Sequence, residues 1–115
     1  MKSGIAFKQG DIVMVPFPFS DLSRIRKRPV LVLSKSAYLN ECDDVITCGI
    51  TSNLKDSKYS VLINNSDLIE GNIPLESRIK ADKLFTLEQG IIIKKIGRIN
   101  KEIFNKVKRE FIDLI

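Results

Sequence analysis

Histidine and tryptophan are absent from this chain of 115 residues, and cysteine occurs only as Cys42 and Cys48. Without histidine, the side chain that most readily moves protons near neutral pH is missing, so any catalysis must use other groups. Two cysteines and no histidine also cannot assemble a structural zinc site of the usual Cys and His ligands in one chain. In a reducing compartment the pair reads as small buried hydrophobes rather than a disulfide. Long apolar runs are missing as well. The stretch nearest the N-terminus is interrupted by Asp11, Pro16 and Pro18, which argues against a signal peptide and a membrane span and leads to the expectation of a cytoplasmic protein. No repeat, linker or low-complexity segment is present.

What remains is the composition of a folded domain. Hydrophobic residues make up 43% and charged residues 29%, ordinary for a globular protein, and residues 1–115 are expected to form a single domain around one core. The net charge is +5 and the isoelectric point about 9.3. That balance points to a polyanion or an acidic protein as partner without choosing between them.

The chain is organised around residues 10–34. Ile12 to Val15 and Val30 to Leu33 are short β-branched runs bounded by Gly, Pro and Ser, which predicts two strands. Val13, Val15, Phe17 and Phe19 fall on one face of the first, and Ile12 and Met14 on the other. Pro16 and Pro18 cannot donate to a ladder, so the chain is expected to leave the sheet there, and Pro29 suits the first position of the second strand. The connecting loop carries Arg24, Arg26, Lys27 and Arg28, which repel one another unless an anion lies among them. Phe17 and Phe19 either cap the core or stand at a pocket rim where bases could stack.

Further strands are predicted at Val45 to Thr51, Tyr59 to Ile63, Ser77 to Asp82, Leu84 to Leu87 and Ile91 to Ile99. In the first of these Ile46, Cys48 and Ile50 form the core face, and Thr51 ends the strand facing away, followed by Ser52, Asn53 and Lys55. Arg78, Lys80 and Asp82 are expected outward, on a solvated face or beside a polyanion groove. Asn100 reads as the N-cap of a terminal helix with Ile103, Val107, Phe111 and Leu114 at helical spacing. The predicted fold is mainly β (α+β): a small, curled, mostly antiparallel β-barrel with a packed C-terminal helix.

Five blocks carry a family resemblance: Gly10-Asp11-Ile12-Val13, Arg28-Pro29-Val30-Leu31-Val32-Leu33-Ser34, Ile50-Thr51-Ser52, Lys80-Ala81-Asp82-Lys83-Leu84 and Ile96-Gly97-Arg98-Ile99. In this order they resemble the MazF/PemK-like toxins of bacterial toxin–antitoxin pairs. The resemblance implies an SH3-like barrel, a homodimer, neutralisation by a cognate antitoxin, and endoribonuclease action on single-stranded mRNA without a metal or other cofactor. It places a catalytic arginine at Arg28 and a catalytic threonine at Thr51. The substrate-covering loop falls on Pro18 to Lys27, so Phe19, Arg24, Arg26 and Lys27, with Ser52, Asn53 and Lys55, are the expected RNA contacts. This loop departs from the family in having no glycine before the arginine. The barrel is also similar to CcdB-type toxins, which bind DNA gyrase, but those rely on a C-terminal tryptophan and this chain ends Asp113-Leu114-Ile115. A degenerate member that binds only RNA or antitoxin is the other alternative.

RNA can be cut without a metal when its own 2′-OH attacks the adjacent phosphate. Arg28 suits the charged phosphorane because a guanidinium fork matches two phosphate oxygens, and Thr51 can donate a third hydrogen bond. Arg28 itself stays protonated and cannot be the base. A phosphate oxygen or a carboxylate such as Asp21 is left for that task.

Overall fold

In the computed structural model, which describes residues 7–18 and 25–115, seven strands form one sheet: β1 (Asp11–Pro18), β2 (Ile25–Val32), β3 (Asp44–Thr51), β4 (Ser60–Ile63), β5 (Leu68–Gly71), β6 (Ser77–Glu88) and β7 (Lys94–Ile99). A short helix α1 (Ser36–Glu41) joins β2 to β3, and α2 (Lys101–Leu114) ends the chain. All neighbours are antiparallel, in the order β4-β6-β3-β2-β1-β7-β5. The result is the curled, mainly β fold with a C-terminal helix expected from the sequence.

Both faces of the central strands are buried, each by its own cluster. On one, Ile12, Leu31, Cys48, Ile50, Ile79 and Ala81 pack against Ile103 and Val107 of α2. The helix starts where expected, with Asn100 Oδ1 accepting from the Ile103 amide at 2.8 Å, although Leu114 in the last turn is exposed. On the other face, Val13, Val15, Val30, Val32 and Val45 pack with Leu39 of α1 and with Phe7. The face of β3 expected to lie away from the core is therefore buried at Val45 and Thr47. It turns half-exposed only at Gly49 and Thr51, where the valine row gives out.

Three expectations are corrected. First, β1 does not leave the sheet at Pro16 but stays paired with β2 as far as Pro18↔Ile25. The Met14 carbonyl accepts from the Ile93 amide on the β7 side, so by two-residue alternation the missing N–H groups of Pro16 and Pro18 face that same side. Pairing with β7 has ended by then, and among the described residues no strand pairs with the prolines on that side. Second, Arg26, Lys27 and Arg28 belong to β2 rather than to a loop, paired with Phe17, Pro16 and Val15. Third, the two strands expected over Ser77 to Leu87 are one strand, Ser77–Glu88, interrupted only by a bulge.

The bulge decides which way the β6 side chains face. The β3–β6 register steps from Cys48↔Leu84 to Gly49↔Lys80, leaving Ala81, Asp82 and Lys83 without partners on β3. An odd number of extra residues flips side-chain facing. Lys80 before the bulge, Lys83 at its end and Phe85 after it consequently open on the same side.

A buried acid fixes the far edge. Asp11 is fully buried and accepts from the Lys8 amide and from Arg98 Nε, each at 2.8 Å. Lys95 lies 3.4 Å from the same carboxylate, and Glu70 pairs with both Lys95 and Arg98. This cluster ties the entry of β1 to β7 and β5. Hydrogen bonding to Asp11 raises the Arg98 pKa, and hydrogen bonding to Lys95 lowers that of Glu70.

Candidate functional site

A cleft of about 640 Å³ opens where the valine-lined face ends, lined by Arg28, Val30, Gly49, Thr51, Lys80 and Phe85, among others. Pro29 explains its position. The Leu33 amide donates to the Ile46 carbonyl on β3, so alternation would aim the amides of residues 31 and 29 at β3 as well. Pro29 has no amide hydrogen, and the β2–β3 ladder ends one step earlier, at Val30↔Gly49. Beyond that pair no further β2–β3 pairing holds the strands together among the described residues, and the cleft is lined by residues at this end of both strands.

Continuing the same register sets Arg28 opposite Thr51, one residue past Pro29 and Ile50. Both side chains line the cleft. Thr51 Oγ1 accepts from the Asn53 amide at 3.1 Å, and Asn53 Oδ1 accepts from the Lys55 amide at 3.0 Å. With its oxygen engaged as acceptor, the Thr51 hydroxyl has its hydrogen left to donate.

The segment after Thr51 is held by two cations of β6. Arg78 donates to the Leu54 carbonyl and to Ser60 Oγ, each at 3.2 Å, and pairs with Asp56 at 3.4 Å. Lys80 Nζ donates to Ser57 Oγ at 2.9 Å. Arg78 thus braces the loop, while Lys80 faces the cleft. Asp82, in the bulge, has its Oδ1 buried without a hydrogen-bond partner among the described residues, and Lys80 lies 4.0 Å from it. Burial, with a further contribution from the Asp82 charge, pushes the neighbouring Cys48 thiol up to about 12.

Of the residues expected to act, Arg28, Thr51, Asn53 and Lys55 come together around the cleft. Ser52 adjoins them in sequence but does not line it, and Arg26 and Lys27 are exposed on the β1–β2 arm. Phe19, Asp21 and Arg24 lie outside the described residues. Sequence reasoning missed Lys83 and Phe85 and left Lys80 undecided. The lysines were legible only as members of a basic chain, and the bulge that turns them inward carries no glycine or proline to announce it. Among the described residues, no group of Cys, Asp or Glu could hold a metal ion, and no helix is long and apolar enough to cross a membrane.

The family described as PemK-like, MazF-like toxin of type II toxin–antitoxin system matches residues 8–115. No curated protein sequence matches the chain. Among solved structures, a mycobacterial endoribonuclease in complex with its cognate antitoxin is 21% identical, with a TM-score of 0.75 over 94% of this chain and 93% of that one. The MazE–MazF complex of Deinococcus radiodurans is 20% identical, with a TM-score of 0.75 over 93% of each chain. The Mycobacterium tuberculosis toxin MazF-mt6 is 16% identical, with a TM-score of 0.71 over 90% of this chain and 93% of that one. At these identities the structural likeness establishes the fold.

Proposed function

Because the chain belongs to the PemK-like, MazF-like toxin family of type II toxin–antitoxin systems, we propose that it is a metal-independent endoribonuclease acting on single-stranded RNA, with Arg28 and Thr51 as its catalytic pair. The observation that carries this reading is the shared cleft, which Arg28 and Thr51 both line, with the β2–β3 register, carried past its last pair, setting them opposite each other. A backbone phosphate between them would meet a rigid fork from one side and a single donor from the other.

In the step itself the 2′-oxygen forms a bond to phosphorus while the bond to the 5′ oxygen breaks, leaving a 2′,3′-cyclic phosphate and a 5′-OH. Arg28 and Thr51 donate hydrogen bonds to the non-bridging oxygens, where the negative charge of the phosphorane concentrates and such donors act most strongly. Arg28 does not take the proton, since its guanidinium presents only donors and no acceptor. The 2′-OH proton passes to a non-bridging phosphate oxygen and from there to the departing 5′ oxygen. Lys80, Lys83 and Lys55 line the same cleft and add attraction for the strand on either side of the cut.

The reading extends to the partners of that family. The chain acts in the cytoplasm as a homodimer, and an acidic antitoxin segment complements the basic cleft and covers it. Incubation of the purified protein with a long unstructured RNA in excess EDTA tests the activity. Fragments beginning in 5′-OH and ending in cyclic phosphate are expected. Intact RNA, or cleavage only when a divalent ion is restored, would overturn the proposal.

A further inference from the structure

Phe17 and Phe85 meet edge to face, with ring centroids 4.7 Å apart and planes at 80°. They come from β1 and β6, which are separated in the sheet by β2 and β3. The pair therefore arches over the intervening strands. Beneath it Val30 pairs with Gly49, and a Cβ built on Gly49 would meet the Phe85 ring and Lys83 Cβ at 3.6 Å, ordinary van der Waals contact. The Phe85 ring therefore passes close over the Gly49 backbone.

The two rings are not equivalent. Phe17 packs against the valine cluster and helps close that core, whereas Phe85 belongs to neither core cluster. Phe85 is half-buried, and both rings line the same cleft as Arg28 and Thr51. Its strand position is tied to β3 by its partner Thr47, whose hydroxyl donates to the Phe85 carbonyl at 3.0 Å. A large aromatic outside the core, held upright by a second ring and flanked by Lys83, has the composition of a surface on which a flat, electron-rich heterocycle stacks.

We propose that Phe85 is a stacking platform for one nucleobase of the bound strand, next to the phosphate held by Arg28 and Thr51, and that Phe17 positions it. This inference rests on the ribonuclease reading and adds a specificity determinant to it. Stacking strength follows ring area, so the platform favours a purine over a pyrimidine and either over a missing base. It leaves the phosphate contacts, and hence the salt dependence of binding, unchanged.

The test is binding of uncleavable 2′-O-methyl strands of equal length, carrying adenine, uracil or abasic sites, to the parent, Phe85→Leu and Phe85→Trp. In the parent, affinity should fall from adenine to uracil to abasic, with roughly a 5- to 150-fold loss for abasic sites. Phe85→Leu keeps an apolar side chain of similar bulk but offers no ring, so the three strands should converge on abasic affinity with the salt slope intact. Phe85→Trp should restore the ranking. Equal affinities of the parent for the three strands, or a ranking that survives Phe85→Leu, would overturn the platform. Because these strands cannot be cut, the outcome is separable from the cleavage assay: RNA left intact by a protein that still ranks bases through Phe85 would sink the ribonuclease reading alone.

Discussion

Carried one step past its last pair, Val30↔Gly49, the register of β2 and β3 sets Pro29 opposite Ile50. An amide at position 29 would carry the ladder onward, and proline lacks one. Pro29→Val should therefore zip the strands further, protect the new amide from hydrogen exchange and narrow the cleft. Stability should hold or rise by about 1 kcal/mol, the net worth of one backbone hydrogen bond. Cleavage should fall on the order of 10- to 100-fold, because a misplacement of about 1 Å at a reacting centre has that effect. Parent activity with a protected amide at position 29 would show that the early end of the ladder is not needed.

Asp11 is fully buried between Arg98 and the Lys8 amide. Asp11→Ala removes the acceptor and strands the donors around it, which should lower unfolding stability by about 3 kcal/mol. Asp11→Asn should cost less, since an amide oxygen can still accept from Lys8. Urea denaturation of the three proteins checks the order, and equal midpoints would contradict the structural role given to this carboxylate.

The Lys95 ammonium holds the Glu70 carboxyl below the usual glutamate range. A folded-state value depressed below the unfolded one gives stability that is fully present above the unfolded value, near 4.3, and is lost as pH falls through the folded value. The parent should therefore lose stability on acidification below about pH 4.3 more steeply than Glu70→Gln. Superimposable pH profiles of melting temperature would contradict the pairing.

Cys48 is fully buried, with its thiol pushed up to about 12, whereas Cys42 is half-buried. Since the thiolate is the reactive form, a disulfide reagent at pH 8 should modify Cys42 alone in the folded protein, and Cys48 only after unfolding, a rate difference of at least about 100-fold. Two fast equivalents in native buffer would show that Cys48 is reached without unfolding.

The sequence disclosed most of the strands, though not β5 or the late start of β7 at Lys94, together with the terminal helix and its Asn100 cap and the arginine and threonine of the cleft, because alternation, capping chemistry and motif blocks are read along the chain. What it concealed depended on partners. Whether Pro16 and Pro18 end a strand turns on which neighbour is missing, and here β7 has stopped before their free edge matters. Arg26 and Lys27 look like loop residues until Phe17 and Pro16 are seen across from them. The bulge at Ala81–Lys83 exists only in the register between β3 and β6. Without it Lys80 and Lys83 would point to opposite faces, and nothing in their identity says otherwise. Gly49 likewise reads as a weak spot in a strand until a ring from another strand is found above it.

The central claim is that Arg28 and Thr51 act on one phosphate, and a double-mutant cycle on the single-turnover cleavage rate tests it most directly. Thr51→Val, which keeps the shape and removes the donor, should slow cleavage by roughly 100- to 1000-fold, and Arg28→Ala by at least as much. If both groups hold the same transition state, the double variant should be no more than about 10-fold slower than Arg28→Ala alone. Losses that multiply in full, or an Arg28→Ala protein that cuts at the parent rate, would contradict a shared phosphate.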